Sequence, residues 1–231
     1  MTGVQTCALP IWYLYSKTAV ANIENYVKTS RFIVCLRDPV DMAYSLHEQA
    51  VFSGSEHMAD FEKAWRLNAD RLEGKIISRW CKVPPRHLAY NFSCALGSQL
   101  ERLFQIISRE RVLLLLLEDI MQDPRKEYVK VMNFLNVTDD GRKIFPVLNS
   151  SKKRKSIMLR RISLISQFIK AKFQIYSGFG ILNKIDGLNK SKITRPALPL
   201  GFKKELISSF SIEIDKLENI LQRDLDHWRN S

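Results

Sequence analysis

No stretch of this sequence is apolar for long enough to cross a membrane as a helix. The longest unbroken aliphatic run covers six residues, 112–117, inside "RVLLLLLED". A spanning helix needs roughly 20, so this run reads as a buried strand. Cysteine is sparse. Cys7, Cys35, Cys81 and Cys94 form no close pair with metal-ligand spacing and no disulfide framework. Cys35 sits inside an apolar strand, where a free thiol packs well. That usage points to a reducing compartment and a cytoplasmic protein without a zinc site. Histidine is equally thin: four residues, with His47 and His57 in no motif that would make either a proton carrier. There is no internal repeat, no low-complexity tract and no signal peptide, since the first residues lack both a basic segment and a sustained apolar one. Nor does any Gly-rich or Pro-rich strand–loop–helix precede Tyr13.

What is present is ordinary globular composition carrying a large charge imbalance. Apolar residues make up 45% and charged residues 26% of 231 residues, enough for one large domain with a core. The 36 basic against 24 acidic residues give a net charge of +12. The imbalance favours an anionic partner, such as a nucleotide, nucleic acid, acidic glycan or membrane surface, without choosing among them.

The opening string "MTGVQTCALPIW" has neither helical nor strand period. It resembles translated sequencing-adapter sequence, and residues 1–12 are read as a non-native leader ahead of a single domain over 13–231. Residues 17–28 carry Val20, Ile23, Tyr26 and Val27 at helical spacing. "RFIVCLR" then has the continuous apolar pattern of a parallel strand covered on both faces. Asp38 suits a cap and Pro39 a first turn, predicting a helix to about Ala50. Ser55 is the next candidate N-cap, with a helix over 59–80 punctuated at Gly74. A long amphipathic helix is predicted over 88–108, with Leu96, Leu100, Leu103, Phe104 and Ile107 on one face. The second strand follows, ending in Glu118 and Asp119. Asp123-Pro124 then opens a helix with Tyr128, Val131, Met132 and Leu135 aligned.

Strands alternating with helices argue for a parallel α/β sheet. Two strands are few for such a sheet, which typically has about 4–6; the others are expected upstream of residue 13. Beyond Phe145 come the basic segment "NSSKKRKSIMLRRI", a helix over 158–176, and a closing helical segment. In that segment Leu206, Phe210, Ile214, Leu217, Leu221, Leu225 and Trp228 share a stripe, read as the face docked on the domain.

The chemistry centres on "RFIVCLRDPVDMAYSLHEQ", residues 31–49. Arg37 stands at the carboxyl end of a parallel strand, the edge outside which ligands of open α/β sheets bind. The helix after Asp38-Pro39 offers free N–H groups and a positive dipole end. A guanidinium recognises phosphate with two parallel hydrogen bonds. Ser45, about two turns on, adds a hydroxyl. The pair reads as a phosphate holder.

The wording of this segment resembles the 3′-phosphate-binding segment of sulfotransferases that use 3′-phosphoadenosine 5′-phosphosulfate (PAPS): an apolar strand, Arg-Asp-Pro, a short gap and Tyr-Ser. "YLYSKTAVANIENYV" is similar to the helix before that strand. "RVLLLLLEDIMQDPRKEYVKVMNFLNV" is similar to the family's later strand with Glu-Asp, then Asp-Pro and a helix. "RPALPLGFKKELISSFSIEIDKLENILQRDLDHW" resembles the C-terminal segment of many bacterial members. The resemblance implies a three-layer P-loop NTPase-like parallel sheet with flanking helices. It implies that PAPS is co-substrate, without a metal, and that a sulfuryl group passes to an acceptor hydroxyl or amine of a glycan, lipid or small molecule. Arg37 and Ser45 match the 3′-phosphate ligands. Lys153 and Arg154, within the basic run 152–155, fall where many members place a cofactor-binding loop. Tyr90, Gln99 and Arg102 lie at places that often face the cleft. The Glu118-Asp119 pair is a structural signature of the family and is not read as catalytic.

The family's phosphosulfate loop and its catalytic base have no match here. The expectation is therefore a C-terminal portion, inactive alone, with no catalytic residue of its own. A different class remains open: a basic, helix-rich module that binds nucleic acid or another polyanion through "KKRK" and "LRR". The sulfotransferase resemblance implies no nucleic-acid partner.

Overall fold

The computed structural model describes residues 10–75, 81, 83–146, 152–154, 190–192 and 196–230. In chain order these form α1 (Pro10–Tyr15), α2 (Ala19–Tyr26), β1 (Phe32–Leu36), α3 (Pro39–Ser53), α4 (Phe61–Arg66), α5 (Asn68–Leu72), α6 (Tyr90–Ser93) and α7 (Leu96–Phe104). Then come β2 (Val112–Leu116), α8 (Leu117–Gln122), α9 (Pro124–Leu135), β3 (Lys152–Arg154), β4 (Lys190–Lys192), α10 (Leu200–Leu221) and α11 (Asp226–Asn230). The chain divides into two units. Residues 1–43, 91–146 and 201–231 make the first; residues 44–90 and 147–200 make the second.

In the first unit β1 and β2 pair in parallel, in register from Phe32↔Val112 to Leu36↔Leu116. Among the described residues this sheet has two strands. The strand expected to be covered on both faces is open on one. Period-2 alternation turns Ile33 and Cys35 outward, and both remain exposed, while Leu36 is fully buried.

The helices of this unit are set by capping and by apolar spacing. Asp123 accepts the Lys126 N–H at 2.9 Å, Pro124 takes the first turn of α9, and Asn136 ends it in the left-handed conformation. Phe202, Leu206, Phe210, Ile214 and Leu217 recur every three or four residues along α10, and all are buried. Each contributes about 1.5–3 kcal/mol on burial. Leu225 and Trp228 continue the stripe past a break at Gln222, whose φ is 52°. Thus the predicted closing segment is two helices.

Gly97 is what lets α7 pack against α10. A Cβ there would lie 2.6 Å from the Glu213 carbonyl oxygen and 2.7 Å from Lys216 Cβ. Glu213 accepts from the Ser98 N–H at 2.8 Å and from its hydroxyl at 2.6 Å, and Lys216 donates to Ser98 at 2.8 Å and pairs with Glu101 at 2.7 Å. At the end of α10 Glu218 receives both guanidinium nitrogens of Arg229, at 2.9 and 2.7 Å, and the Leu225 N–H at 2.8 Å.

In the second unit the polar core is ionic. Glu56 and Arg71 are buried with 0% and 1% of their side chains exposed, and Arg71 Nη2 stands 2.6 Å from Glu56. That approach is an ion contact without hydrogen-bond alignment; the aligned bond of Arg71 runs from Nη1 to the Leu88 carbonyl at 2.9 Å. The Tyr90 hydroxyl donates to Glu56 at 2.9 Å, and the Arg71 guanidinium lies over the Tyr90 ring. Beside it Phe61 stacks on Tyr44 and meets Trp65 and Tyr90 edge to face.

Two predicted helices of this region are broken. The span 59–80 holds two short helices interrupted at Leu67, and Asp60, not Ser55, caps α4 by accepting the Lys63 N–H. Ser55 is spent closing α3: its N–H bonds to the Ala50 carbonyl and its hydroxyl to Ser53. The span 88–108 is a 3₁₀ turn at Pro85–Leu88, then α6, then α7. Asn68 accepts the Tyr90 N–H at 2.7 Å, and the Gln99 amide donates to the carbonyls of Phe92 and Ser93; side chains thus take up backbone groups that a continuous helix would pair internally. The helix expected over 158–176 lies outside the described residues.

Gly97→Ala should destabilise the protein by about 1–3 kcal/mol, because α10 backbone must move aside; urea unfolding of the two proteins measures it. The Arg229 guanidinium holds the Glu218 carboxyl down at about 2, below its ordinary 4.5. Its folded-state contribution is therefore full above pH 4.5 and fades as pH falls towards about 2. The difference in Tm between the parent protein and Arg229→Gln should narrow over that window.

Candidate functional site

The strand β1 ends at Leu36, and Arg37 is the next residue, its side chain 30% exposed. The chain turns immediately through Asp38-Pro39 into α3. This turn is capped from within. The Asp38 carboxylate accepts the Val40 N–H at 2.8 Å, and Pro39 has no N–H to offer. The cap expected of Asp38 is thus made, and it takes up one of the N–H groups at this helix start.

Arg37 is not idle either. Its Nη2 donates to Asp41 Oδ2 at 3.1 Å, one helical turn along. Asp41 is 57% exposed, so the pair is solvent-facing. Behind it Cys94 is fully buried; burial pushes its thiol well above the ordinary range, and the Arg37 charge opposes that shift. One guanidinium and two carboxylates, Asp38 and Asp41, therefore surround the first turn of α3.

Ser45 lies further along α3, half-buried, its hydroxyl without a partner among the described residues. The division between the units passes through α3 after Ala43, leaving Arg37 in the first and Ser45 in the second. Lys153 and Arg154 also belong to the second unit. They lie on β3, antiparallel to β4, with Lys152 opposite Lys192, Lys153 opposite Ser191 and Arg154 opposite Lys190.

The three residues expected to face a cleft are tied into the protein. Tyr90 is fully buried and bonded to Glu56; Gln99 is buried on the carbonyls of α6; Arg102 donates to the carbonyls of Leu14, at 2.6 Å, and Tyr15, at 3.1 Å. Glu118 and Asp119, expected to end a strand, open α8 instead. Glu118 accepts the Trp228 indole N–H at 3.0 Å and meets His227 Nε2 at 2.8 Å. Asp119 receives Arg223 at 2.7 Å, and that guanidinium holds its carboxyl below the usual range. Both carboxylates fasten the C-terminal segment. The groove beside them, lined also by Asp123, Lys126, Glu127 and Lys130, is closed on itself: Lys130 pairs with Glu127, and Asp123 caps α9.

The residue that sequence reasoning missed is Asp41. Its spacing of four from Arg37 was the available signal, since residues four apart meet on a helix.

This fold is similar to the solved structure of a sulfotransferase from Alicyclobacillus acidocaldarius. The TM-score is 0.63 over 94% of this chain, at 18% identity. The chain spans 65% of that protein's length. No protein-family model and no curated protein matches the chain. The likeness defines an α/β fold with a small parallel sheet and many helices. Among the described residues no helix is long and apolar enough to cross a membrane.

Glu118→Ala removes the carboxylate that holds a buried indole N–H. It should cost about 1–3 kcal/mol of stability, read by chemical unfolding.

Proposed function

We propose that this chain carries the 3′-phosphate part of the donor site of a PAPS-dependent sulfotransferase domain. The observation that carries the reading is Arg37, set directly after a parallel strand and ahead of an Asp-Pro helix start, in a fold shared with a solved sulfotransferase. Arg37 and Ser45 are the proposed contacts to the 3′-phosphate, with Lys153 and Arg154 as further cationic contacts to the cofactor. The complete sheet of this reading is three-layered and P-loop-like, with 13–231 as one part of it and residues 1–12 outside it. A guanidinium whose partner among the described residues is an exposed carboxylate is a fitting holder, because such a pair is worth about 0.3–0.5 kcal/mol and a phosphate outcompetes it.

In the proposed reaction the acceptor oxygen or nitrogen forms a bond to sulfur while the sulfur–oxygen bond to the leaving nucleotide breaks in line. A base takes the acceptor proton, and cationic groups stabilise the leaving phosphate. No residue of this chain is assigned as that base. The part played by Arg37 and Ser45 is to position the donor. The acceptor class is a glycan, lipid or small molecule carrying a hydroxyl or amine. The setting proposed is reducing and cytoplasmic, a reading carried by the sparse cysteines of the sequence, which form no disulfide framework.

A second reading has its own support. Five of the six residues in the β3–β4 ribbon are cationic, with like charges directly opposite at two positions. Opposed like charges destabilise a ribbon and favour a polyanion that neutralises them.

Titration calorimetry with 3′-phosphoadenosine 5′-phosphate (PAP) separates the two. Under the donor-site reading PAP binds more tightly than adenosine 5′-phosphate. Arg37→Ala then weakens PAP by about tenfold to a hundredfold, as loss of a charged hydrogen bond implies. Ser45→Ala weakens it by a smaller factor. Equal affinity for both nucleotides, unaffected by Arg37→Ala, with salt-sensitive binding to heparin or oligonucleotides, would sink the donor-site reading in favour of the second.

A further inference from the structure

We infer that Asp41 is a built-in competitor for the anion held by Arg37 and so sets how tightly that anion binds. The inference rests on the donor-site reading of Arg37.

The geometry is local and lies within the first unit. Arg37 Nη2 is 3.1 Å from Asp41 Oδ2, and the two residues are one helical turn apart. A phosphate that takes Arg37 must either displace Asp41 from it or share it. Sharing brings an anion up to a carboxylate, and like charges at that range repel. Asp38 does not relieve the conflict: it is itself a carboxylate, and it accepts the Val40 N–H. Only Arg37 among these three residues is cationic, so the first turn of α3 has a net negative complement before any ligand arrives.

The exposure of the pair decides the strength of the competition. With Asp41 57% exposed, the carboxylate is hydrated and the ion pair is weak. Asp41 therefore lowers anion affinity without abolishing it. A bare anion gains one contact and must displace Asp41 to get it. A nucleotide that brings base and ribose contacts offsets the same displacement from elsewhere. Asp41 also sits in the first turn of α3, where a carboxylate favours the helix, so it serves the ligand-free fold while opposing the ligand.

The test is a double-mutant cycle on the full chain, with PAP and inorganic phosphate as the probes. Asp41→Asn should tighten PAP by about twofold, the factor to which an exposed pair one helical turn apart corresponds. Asp41→Glu should behave as the parent protein. In an Arg37→Ala background Asp41→Asn should no longer tighten PAP, because the competition runs through the guanidinium. Circular dichroism melts of each variant confirm that α3 is intact. Unchanged or weaker PAP binding by a folded Asp41→Asn variant overturns the inference while leaving the donor site standing. A gain that persists without Arg37 overturns it too, showing general repulsion in place of competition. Failure of Arg37→Ala to weaken PAP overturns the donor-site reading itself, and is distinguished from the other results by that variant alone.

Discussion

The five-residue parallel register between β1 and β2 is the constraint on which the first unit depends. Parallel strands in register end at the same edge, so Leu36 and Leu116 finish side by side and both chain reversals begin there. One reversal presents Arg37 and enters α3; the other enters α8 with Glu118 and Asp119. The same edge thus carries two polar strand ends with opposite fates. The α8 carboxylates are consumed by Trp228, His227 and Arg223 of the C-terminal segment. Among the described residues the Arg37 guanidinium is met by the Asp41 carboxylate, one turn away on its own helix. That difference in engagement, more than residue type, makes one end structural and leaves the other available.

The C-terminal segment earns its place through close approach. Gly97 brings α10 to α7 at a distance that no side chain would allow, and the Ser98–Glu213–Lys216–Glu101 contacts then lock its register. With α10 so placed, the chain beyond Gln222 delivers Arg223, His227 and Trp228 to α8. The second unit is organised differently, around Glu56 and Arg71. A buried ion pair adds little net stability against an apolar replacement, but losing one partner costs about 3–5 kcal/mol. The hydroxyl of Tyr90 and the carbonyl of Leu88 share that constraint, so each shapes the path of the 3₁₀ turn and the start of α6.

The strands, α2, α3, α9 and the buried stripe of α10 were legible because each has a local signature: apolar runs, caps at Asp-Pro, and three-to-four spacing. The two long helices predicted over 59–80 and 88–108 were not, because what breaks them is remote. Asn68 takes the N–H of Tyr90, 22 residues on, and no periodicity announces that. The Glu56–Arg71–Tyr90 cluster is likewise assembled from separations of 15 and 34 residues. The open face of β1 was hidden for another reason. Continuous apolarity says that a strand tolerates cover on both sides, and Ile33 and Cys35 show that it does not demand it. At the candidate site Arg37 was readable from its place after a strand. Its engagement with Asp41, one helical turn on, is a spacing that the sequence shows but that no motif singles out.

The charge of the whole chain and the charge of the site point in opposite directions. A net +12 raises the local concentration of anions around the protein and speeds their arrival, an effect that fades over roughly 8 Å at physiological salt. At the first turn of α3 Arg37 stands with Asp38 and Asp41, one cation beside two carboxylates. Attraction over long range and resistance at contact are compatible, and under the donor-site reading they act together as a selective device. A small anion drawn in by the general field meets carboxylates and a single guanidinium. A ligand whose phosphate is carried on a larger body brings contacts beyond the first turn of α3, and these offset the local cost. Selectivity of this kind needs no closed pocket around the phosphate. It requires only that the cation be shared with an internal carboxylate weak enough to yield.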